Sequence, residues 1–169
     1  MIESLANGGW FNASSLPLWW KGQRIRNFIL SAGIILLITG AAKLFSAGGN
    51  AQILQRLDPV FGIRFRSLLL SVGICEMAAA AFCLFGTRYS AQAGIVASLA
   101  TGFALYRFGL SWVGYQKPCP CLGGLTDALH ISPGISDLVM KCILVYLAVG
   151  SYGALLSLGL KARREERSQ

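Results

Sequence analysis

Cys119 and Cys121 have the clearest capacity for chemistry in this chain. They stand one residue apart in the run Lys117-Pro118-Cys119-Pro120-Cys121-Leu122-Gly123-Gly124. Two cysteines so spaced reach the ~4.4–6.8 Å Cα separation of a disulfide only at its limit. The ring they close is small and strained, and strained, exposed disulfides are the ones that exchange. Pro120 confines Cys119 to extended conformations, and Pro118 fixes its own φ on the approach. Gly123 and Gly124 leave the sulfurs accessible. Attack on a disulfide needs a thiolate, and nearby cations lower a cysteine pKa. Lys117 is two residues from Cys119, Arg107 belongs at the same membrane level, and Asp127 opposes both. Four readings are open: an exchangeable redox pair, a static disulfide, part of a metal site, or two inert thiols. The exchangeable pair is the working assignment. A zinc site wants two further ligands and His130 supplies one, so no metal is expected.

Three more cysteines complete the set. Cys142 is either a third partner in thiol exchange or a small apolar helix residue. Cys75 and Cys83 lie eight apart on one apolar run, ~12 Å along a helix axis. They cannot bond to each other and read as packing residues. Glu76 stands in the middle of the same run. A carboxylate at mid-depth of a bilayer costs several kcal/mol unless paired or protonated. It is expected to face other helices, with Lys43 or Arg107 as partner. A structural ion pair is the plain reading; a proton relay or quinone contact is the sharper one. Glu76 and Cys83, seven apart, share a helix face that is expected to line the interior.

The elements that must position these residues are membrane-spanning helices. Of the 169 residues, 54% are hydrophobic and 13% charged; a soluble domain carries about 25% charged residues. Mean hydropathy is +0.58. A bilayer core of ~30 Å needs about 20 mostly apolar residues. Four segments qualify, at 27–45, 67–85, 90–108 and 136–159. Helices are how an unclosed chain satisfies its backbone in lipid. The expected fold is therefore all-α, an integral membrane four-helix bundle over 27–160. Residues 1–26 form an N-terminal cytoplasmic segment and 161–169 a basic cytoplasmic tail.

Lys and Arg set the expected orientation, with both termini inside. The inner side then holds Lys21, Arg24, Arg26, Arg88, Lys161, Arg163, Arg164 and Arg167, eight cations against five outside (Arg56, Arg64, Arg66, Arg107 and Lys117). The net charge of +8 belongs to these flanks and not to a nucleic-acid surface, since no basic stripe is interleaved with aromatics. Met1–Trp20 holds Glu3 and no cation, so it does not read as a signal peptide. The inner loop is short, 86–89, and the two long loops, 46–66 and 109–135, fall on the outer face. Long ordered loops are where function concentrates. Asp58-Pro59 reads as a turn and Asp137 as a helix N-terminal charge. Pro133 reads as a first helical position after Ser132, and Thr126–Ile131 as a short capped turn. Gly94, Ser98 and Gly102 predict a close-packing face on the third helix.

Three stretches resemble the MauE/DoxX-like, redox-associated membrane proteins. They are Gly40-Ala41-Ala42-Lys43-Leu44, Asp58-Pro59 with Glu76 in the next helix, and Tyr106-Arg107 leading to Pro118-Cys119-Pro120-Cys121-Leu122-Gly123. The resemblance covers about 27–152. It implies a four-helix bundle in the bacterial cytoplasmic membrane. On the MauE side it implies methylamine utilisation and help in maturing a disulfide-rich periplasmic dehydrogenase subunit. On the DoxX side it implies thiosulfate and quinone chemistry. The layout is also similar to disulfide-forming quinone reductases of the vitamin K epoxide reductase and DsbB type, which use Cys-x-x-Cys where this chain has Cys-x-Cys.

The expectation is a membrane-embedded thiol–disulfide redox or maturation accessory at the periplasmic face. Cys119 and Cys121 would exchange disulfides with a periplasmic protein, and Lys117 and Arg107 would favour the thiolate. Glu76, Lys43 and Cys142 are accessory candidates, and a quinone is the candidate cofactor. Whether the chain is itself a thiol–disulfide oxidoreductase stays open. The rivals are a non-catalytic assembly subunit with a structural loop disulfide, a DoxX-like quinone-linked subunit, and a small transporter. A transporter would show internal repeats, and none is evident.

Overall fold

The computed structural model describes residues 18–49, 52–55, 57–114 and 133–166. Four long helices make up most of it: α1 (Leu18–Ala47), α2 (Phe65–Phe85), α3 (Tyr89–Trp112) and α4 (Pro133–Glu166). Each contains a stretch long and apolar enough to cross a membrane: Gly22–Ala47, Phe65–Phe85, Tyr89–Trp112 and Gly134–Leu160. The chain is a multi-pass, all-α membrane protein. The described chain alternates direction, so the start of α1, the α2–α3 turn and the end of α4 share one end of the bundle. The long loops leave from the other.

All four helices match the expected segments and extend beyond them. The expected bounds followed apolar side chains, but a helix continues through polar residues while its backbone bonds are made. Arg24 and Arg26 thus ride exposed on the first turns of α1, ahead of the expected start at Asn27. Pro133 is the first residue of α4, as its missing N–H allows.

Burial follows the 3.6-residue period. On α2 the buried positions are Phe65, Leu69, Gly73, Glu76, Ala79, Ala80 and Cys83. Of these, Ala79, Ala80 and Cys83 meet Ile29, Ala32 and Leu36 of α1, Ala93, Val96 and Ala100 of α3, and Leu147 and Ala154 of α4 in one core. Large apolar side chains elsewhere point outward, as in Ile38, Phe45, Ile74, Leu105, Val149 and Leu156. Lipid is the solvent that makes such a surface stable.

The closest helix pair is α1 with α2, and glycine permits it. A Cβ on Gly40 would lie 3.1 Å from Glu76 Cβ and 3.2 Å from the Gly73 carbonyl oxygen. Small residues let helix backbones approach where lipid supplies no hydrophobic drive. The stripe expected to do this, Gly94, Ser98 and Gly102, does not. Gly94 and Gly102 have nothing within 4 Å of a Cβ position, and Ser98 is exposed. The buried face of α3 is offset from them, through Gln92, Ala93, Val96, Ala97 and Ala100. Spacing identifies a smooth helix face but not what covers it. Cys75, expected to pack, is likewise exposed, whereas Cys83 is buried.

The α2–α3 turn is tight and is held by the Gln92 amide nitrogen. Gln92 Nε2 donates to the carbonyls of Phe82, Cys83 and Gly86 at 3.0, 3.2 and 2.9 Å. It thereby caps the end of α2, whose last carbonyls have no helical partner. A Cβ on Gly86 would sit 2.4 Å from the Phe82 oxygen and 2.8 Å from Gln92 Nε2. Gly86→Ala is therefore expected to destabilise the protein by roughly 1–3 kcal/mol, the usual scale of overpacking. A lowered thermal midpoint in detergent checks this, and an unchanged midpoint contradicts it.

The first long loop is folded, not slack. After Ala47 the chain makes a 3-10 turn at Gln52–Gln55, burying Leu54 against Ala47 and Leu69. A narrow turn follows, in which Asp58 N–H donates to Ile63 O at 2.7 Å and Gly62 N–H to Asp58 O at 2.8 Å. Gly62 has φ +66° there, a region glycine enters without steric cost.

Candidate functional site

Three charged residues of the long-loop half of the bundle, Lys43, Glu76 and Arg107, line one cavity. It measures about 60 Å³ and is lined by Leu36, Thr39, Lys43, Glu76, Phe103, Tyr106, Arg107, Met140, Ile143, Leu144 and Leu147. All four helices contribute. α1 presents Leu36, Thr39 and Lys43 at helical spacing; α4 presents Met140, Ile143, Leu144 and Leu147.

Lys43 and Glu76 form the polar floor. Lys43 Nζ donates to both Glu76 carboxylate oxygens at 2.8 Å, and both residues are almost fully buried, at 5% and 1% exposed. The charge on each is compensated by the other, which is how ionised groups persist inside a membrane. Lys43 Nζ also stands 5.7 Å from the centre of the Phe103 ring, within range of a cation–π contact.

Arg107 is drawn elsewhere. Its guanidinium donates to Asp137, whose other oxygen accepts from Lys141 at 2.7 Å across one helical turn. Of the two partners weighed for Glu76, the fold selects Lys43. Asp137, read as a helix N-terminal charge, joins α4 to α3. Its pairing with Lys141 is legible as an i, i+4 spacing; its pairing with Arg107 needed the tertiary fold.

Asp58 closes the loop end. It is 1% exposed, and its Oδ1 accepts from the N–H groups of Val60 and Phe61 at 2.9 and 2.8 Å. This is the side-chain turn that Asp58-Pro59 led one to expect. The other oxygen accepts from the Tyr106 hydroxyl. Phe61 stacks on the Tyr106 ring, centroids 5.8 Å apart and planes 6° apart. The first long loop is thus fastened to the residue beside Arg107.

The structure brings together Lys43, Glu76, Asp58, Tyr106 and Arg107, from stretches far apart in sequence. Cys142 is apart from them, exposed on α4. Cys119, Cys121 and Lys117 lie outside the described residues, as do His130, Asp127 and the turn expected at 126–131. Among the described residues no group of His, Cys, Asp and Glu could hold a metal ion. Phe103, Met140, Ile143 and Leu144 were not singled out from sequence. An apolar helix residue that lines a cavity carries no mark distinguishing it from one that packs a core.

No match was found among curated proteins or among solved structures. The family model of the methylamine utilisation protein MauE matches residues 23–157. That range takes in most of the chain, with every cavity residue and the Cys119–Cys121 pair, and the chain belongs to the MauE family.

Proposed function

We propose that this protein is a thiol–disulfide exchange or maturation accessory. Its Cys119–Cys121 pair would work at the periplasmic face of a bacterial cytoplasmic membrane, with both chain termini in the cytoplasm. The observation that carries the reading is the tether. Cys119 follows Gly114, at the end of α3, by five residues, a reach of at most ~18 Å. That tether supports a working position near the long-loop end of the bundle, where Asp58 and Tyr106 are joined beside Arg107. The MauE family is one of methylamine utilisation proteins, and the resemblance described above supports the setting: maturation of a secreted, disulfide-bearing partner.

The exchange balances without a further reagent. A thiolate of one pair attacks the disulfide of the other, a mixed disulfide forms, and the second thiolate of the attacking pair resolves it. One disulfide is reduced to two thiols as another forms, with two electrons and two protons changing owner.

Cys119→Ser and Cys121→Ser, made singly, remove the resolving sulfur in one case or the attacking one in the other. One of them is expected to accumulate a mixed disulfide with a periplasmic protein, visible on non-reducing gels and lost on reduction. The pair should equilibrate in glutathione or glutaredoxin-range buffers. A pair that stays oxidised below about −300 mV is a static disulfide, and with no captured partner it leaves an assembly subunit as the reading. Impermeant thiol reagents applied to intact spheroplasts test the side of the membrane.

A further inference from the structure

We propose that the turn at 57–64 is a wedge seated in the lipid leaflet at the long-loop end of the bundle, with Arg64 and Arg66 on anionic phospholipid headgroups. The assignment stands on that turn and is independent of any exchange at Cys119 and Cys121.

Depth comes first. α2 starts at Phe65 and has 21 residues, ~31 Å of helix against a hydrocarbon core of ~30 Å. The turn before it therefore meets the edge of that core. α3 gives a second marker. Val60 reaches Gly109, where a Cβ would lie 3.4 Å from Val60 Cγ1, and Phe61 stacks on Tyr106. α3 ends at Trp112, so these contacts lie ~5 and ~9 Å back along its axis. The turn is fastened below the end of a membrane span, not above it.

The backbone suits that depth. A non-helical segment near hydrocarbon must satisfy its own polar groups. Asp58 N–H donates to Ile63 O, and Gly62 N–H to Asp58 O. The N–H groups of Val60 and Phe61 both donate to Asp58 Oδ1, and a proline such as Pro59 has no N–H. Every donor from 58 to 62 is thus used inside the turn. The other oxygen of Asp58 accepts from Tyr106, so the carboxylate between 57 and 66 is buried and committed.

The side chains point to the same partner. Leu57, Phe61 and Ile63 are 66%, 59% and 43% exposed. The boundary between headgroups and acyl chains covers such a surface, as it covers the apolar face of an interfacial helix sunk ~5–10 Å. Arg64 and Arg66 are exposed beside it. A long cationic side chain lays its stem on apolar surface and keeps its head at the polar boundary, where a guanidinium pairs with phosphate through two parallel N–H groups. Two outward cations and no outward anion between 57 and 66 favour an anionic headgroup over a zwitterionic one. Seated in this way, the turn fixes the height of α3 through Asp58 and Tyr106.

The test uses the full chain in nanodiscs of equal phosphatidylcholine and phosphatidylglycerol with matched acyl chains. Photoreactive p-benzoylphenylalanine takes the place of Ile63. Illumination is expected to add the mass of one phospholipid to the intact protein, with phosphatidylglycerol adducts exceeding phosphatidylcholine adducts about threefold or more. Arg64→Gln/Arg66→Gln is expected to bring that ratio near one while the total lipid adduct persists. Leu57 is the second position for the probe if the first variant does not fold. No lipid adduct on folded protein, or crosslinking to a second copy of the chain instead, overturns the wedge. A ratio near one with both arginines present, or a raised ratio that their replacement leaves unchanged, overturns the assignment of the headgroups to Arg64 and Arg66.

Discussion

Lys43→Met in the intact chain is expected to cost about 3 kcal/mol of stability, toward the lower end of the range for breaking a buried ion pair. The loss leaves Glu76 without its partner, eleven residues into α2 and ~16 Å along the axis from the helix start. The carboxyl must then ionise alone in a nearly dry site or bind a proton to stay neutral. Glu76→Gln is expected to cost less, although it breaks the same pair. Lys43 stands four residues from the end of α1, and a lysine stem that close to a helix end carries its ammonium toward the interface. The double variant Lys43→Met/Glu76→Leu removes both charges and is expected to recover most of the loss, because an apolar pair of similar volume replaces a buried ion pair at little cost. Unfolding in mixed micelles or by steric trapping measures each variant. Equal costs for Lys43→Met and Glu76→Gln would contradict the asymmetry, and a double variant as unstable as the sum of Lys43→Met and Glu76→Leu would show that the pair contributes no coupling.

Asp58→Ala is expected to free the first long loop from α3. Three donors lose their acceptor at once: the N–H groups of Val60 and Phe61 and the Tyr106 hydroxyl. Hydrogen bonds to a charged group contribute about 1.5–3 kcal/mol each, and water regains part of that as the loop opens. A net local loss of about 2 kcal/mol raises the open population about thirtyfold. Trypsin cleavage at Arg64 and Arg66, both exposed, should accelerate accordingly while the helical signal stays constant. Asp58→Asn retains an oxygen for the two N–H groups and turns its amide toward Tyr106, whose oxygen accepts it; its cleavage should stay near the wild-type rate. Tyr106→Phe separates the tie from the turn. If Asp58→Ala leaves cleavage unchanged, the loop is held by Leu54 and the Phe61–Tyr106 stack instead.

The two predictions concern neighbouring parts of one arrangement. Asp58 fastens the loop to Tyr106, and the next residue, Arg107, lines the cavity whose floor is Lys43 and Glu76. Freeing the loop is expected to disturb the cavity's upper wall first, and breaking the ion pair its floor. Cleavage rate and unfolding midpoint, read together in each variant, distinguish the two.

Four spans, their helical state and the inward-facing position of Glu76 were legible from residue types and spacing. Each follows from a rule that acts within one segment: lipid demands length and apolarity, and an uncompensated carboxylate cannot face lipid. The turn at Asp58 was legible for the same reason, since its carboxylate bonds N–H groups two and three residues on. Helix ends were less so, because Arg24 and Arg26 end an apolar run without ending a helix.

What only the tertiary structure decided is which surfaces meet. Lys43 and Arg107 were equal candidates for Glu76 until Asp137 on α4 engaged the arginine. Gly94, Ser98 and Gly102 offered as smooth a face as Gly40 and Gly73, yet α1 and α2 use the second set and leave the first open. Cys75 and Cys83 differ in one being exposed and the other buried, although both sit in the same apolar run. In a membrane protein nearly every face is apolar, so hydropathy separates protein from water but not core from lipid. That distinction arises only when helices dock, through backbone approach at small residues and through charges that must find one another.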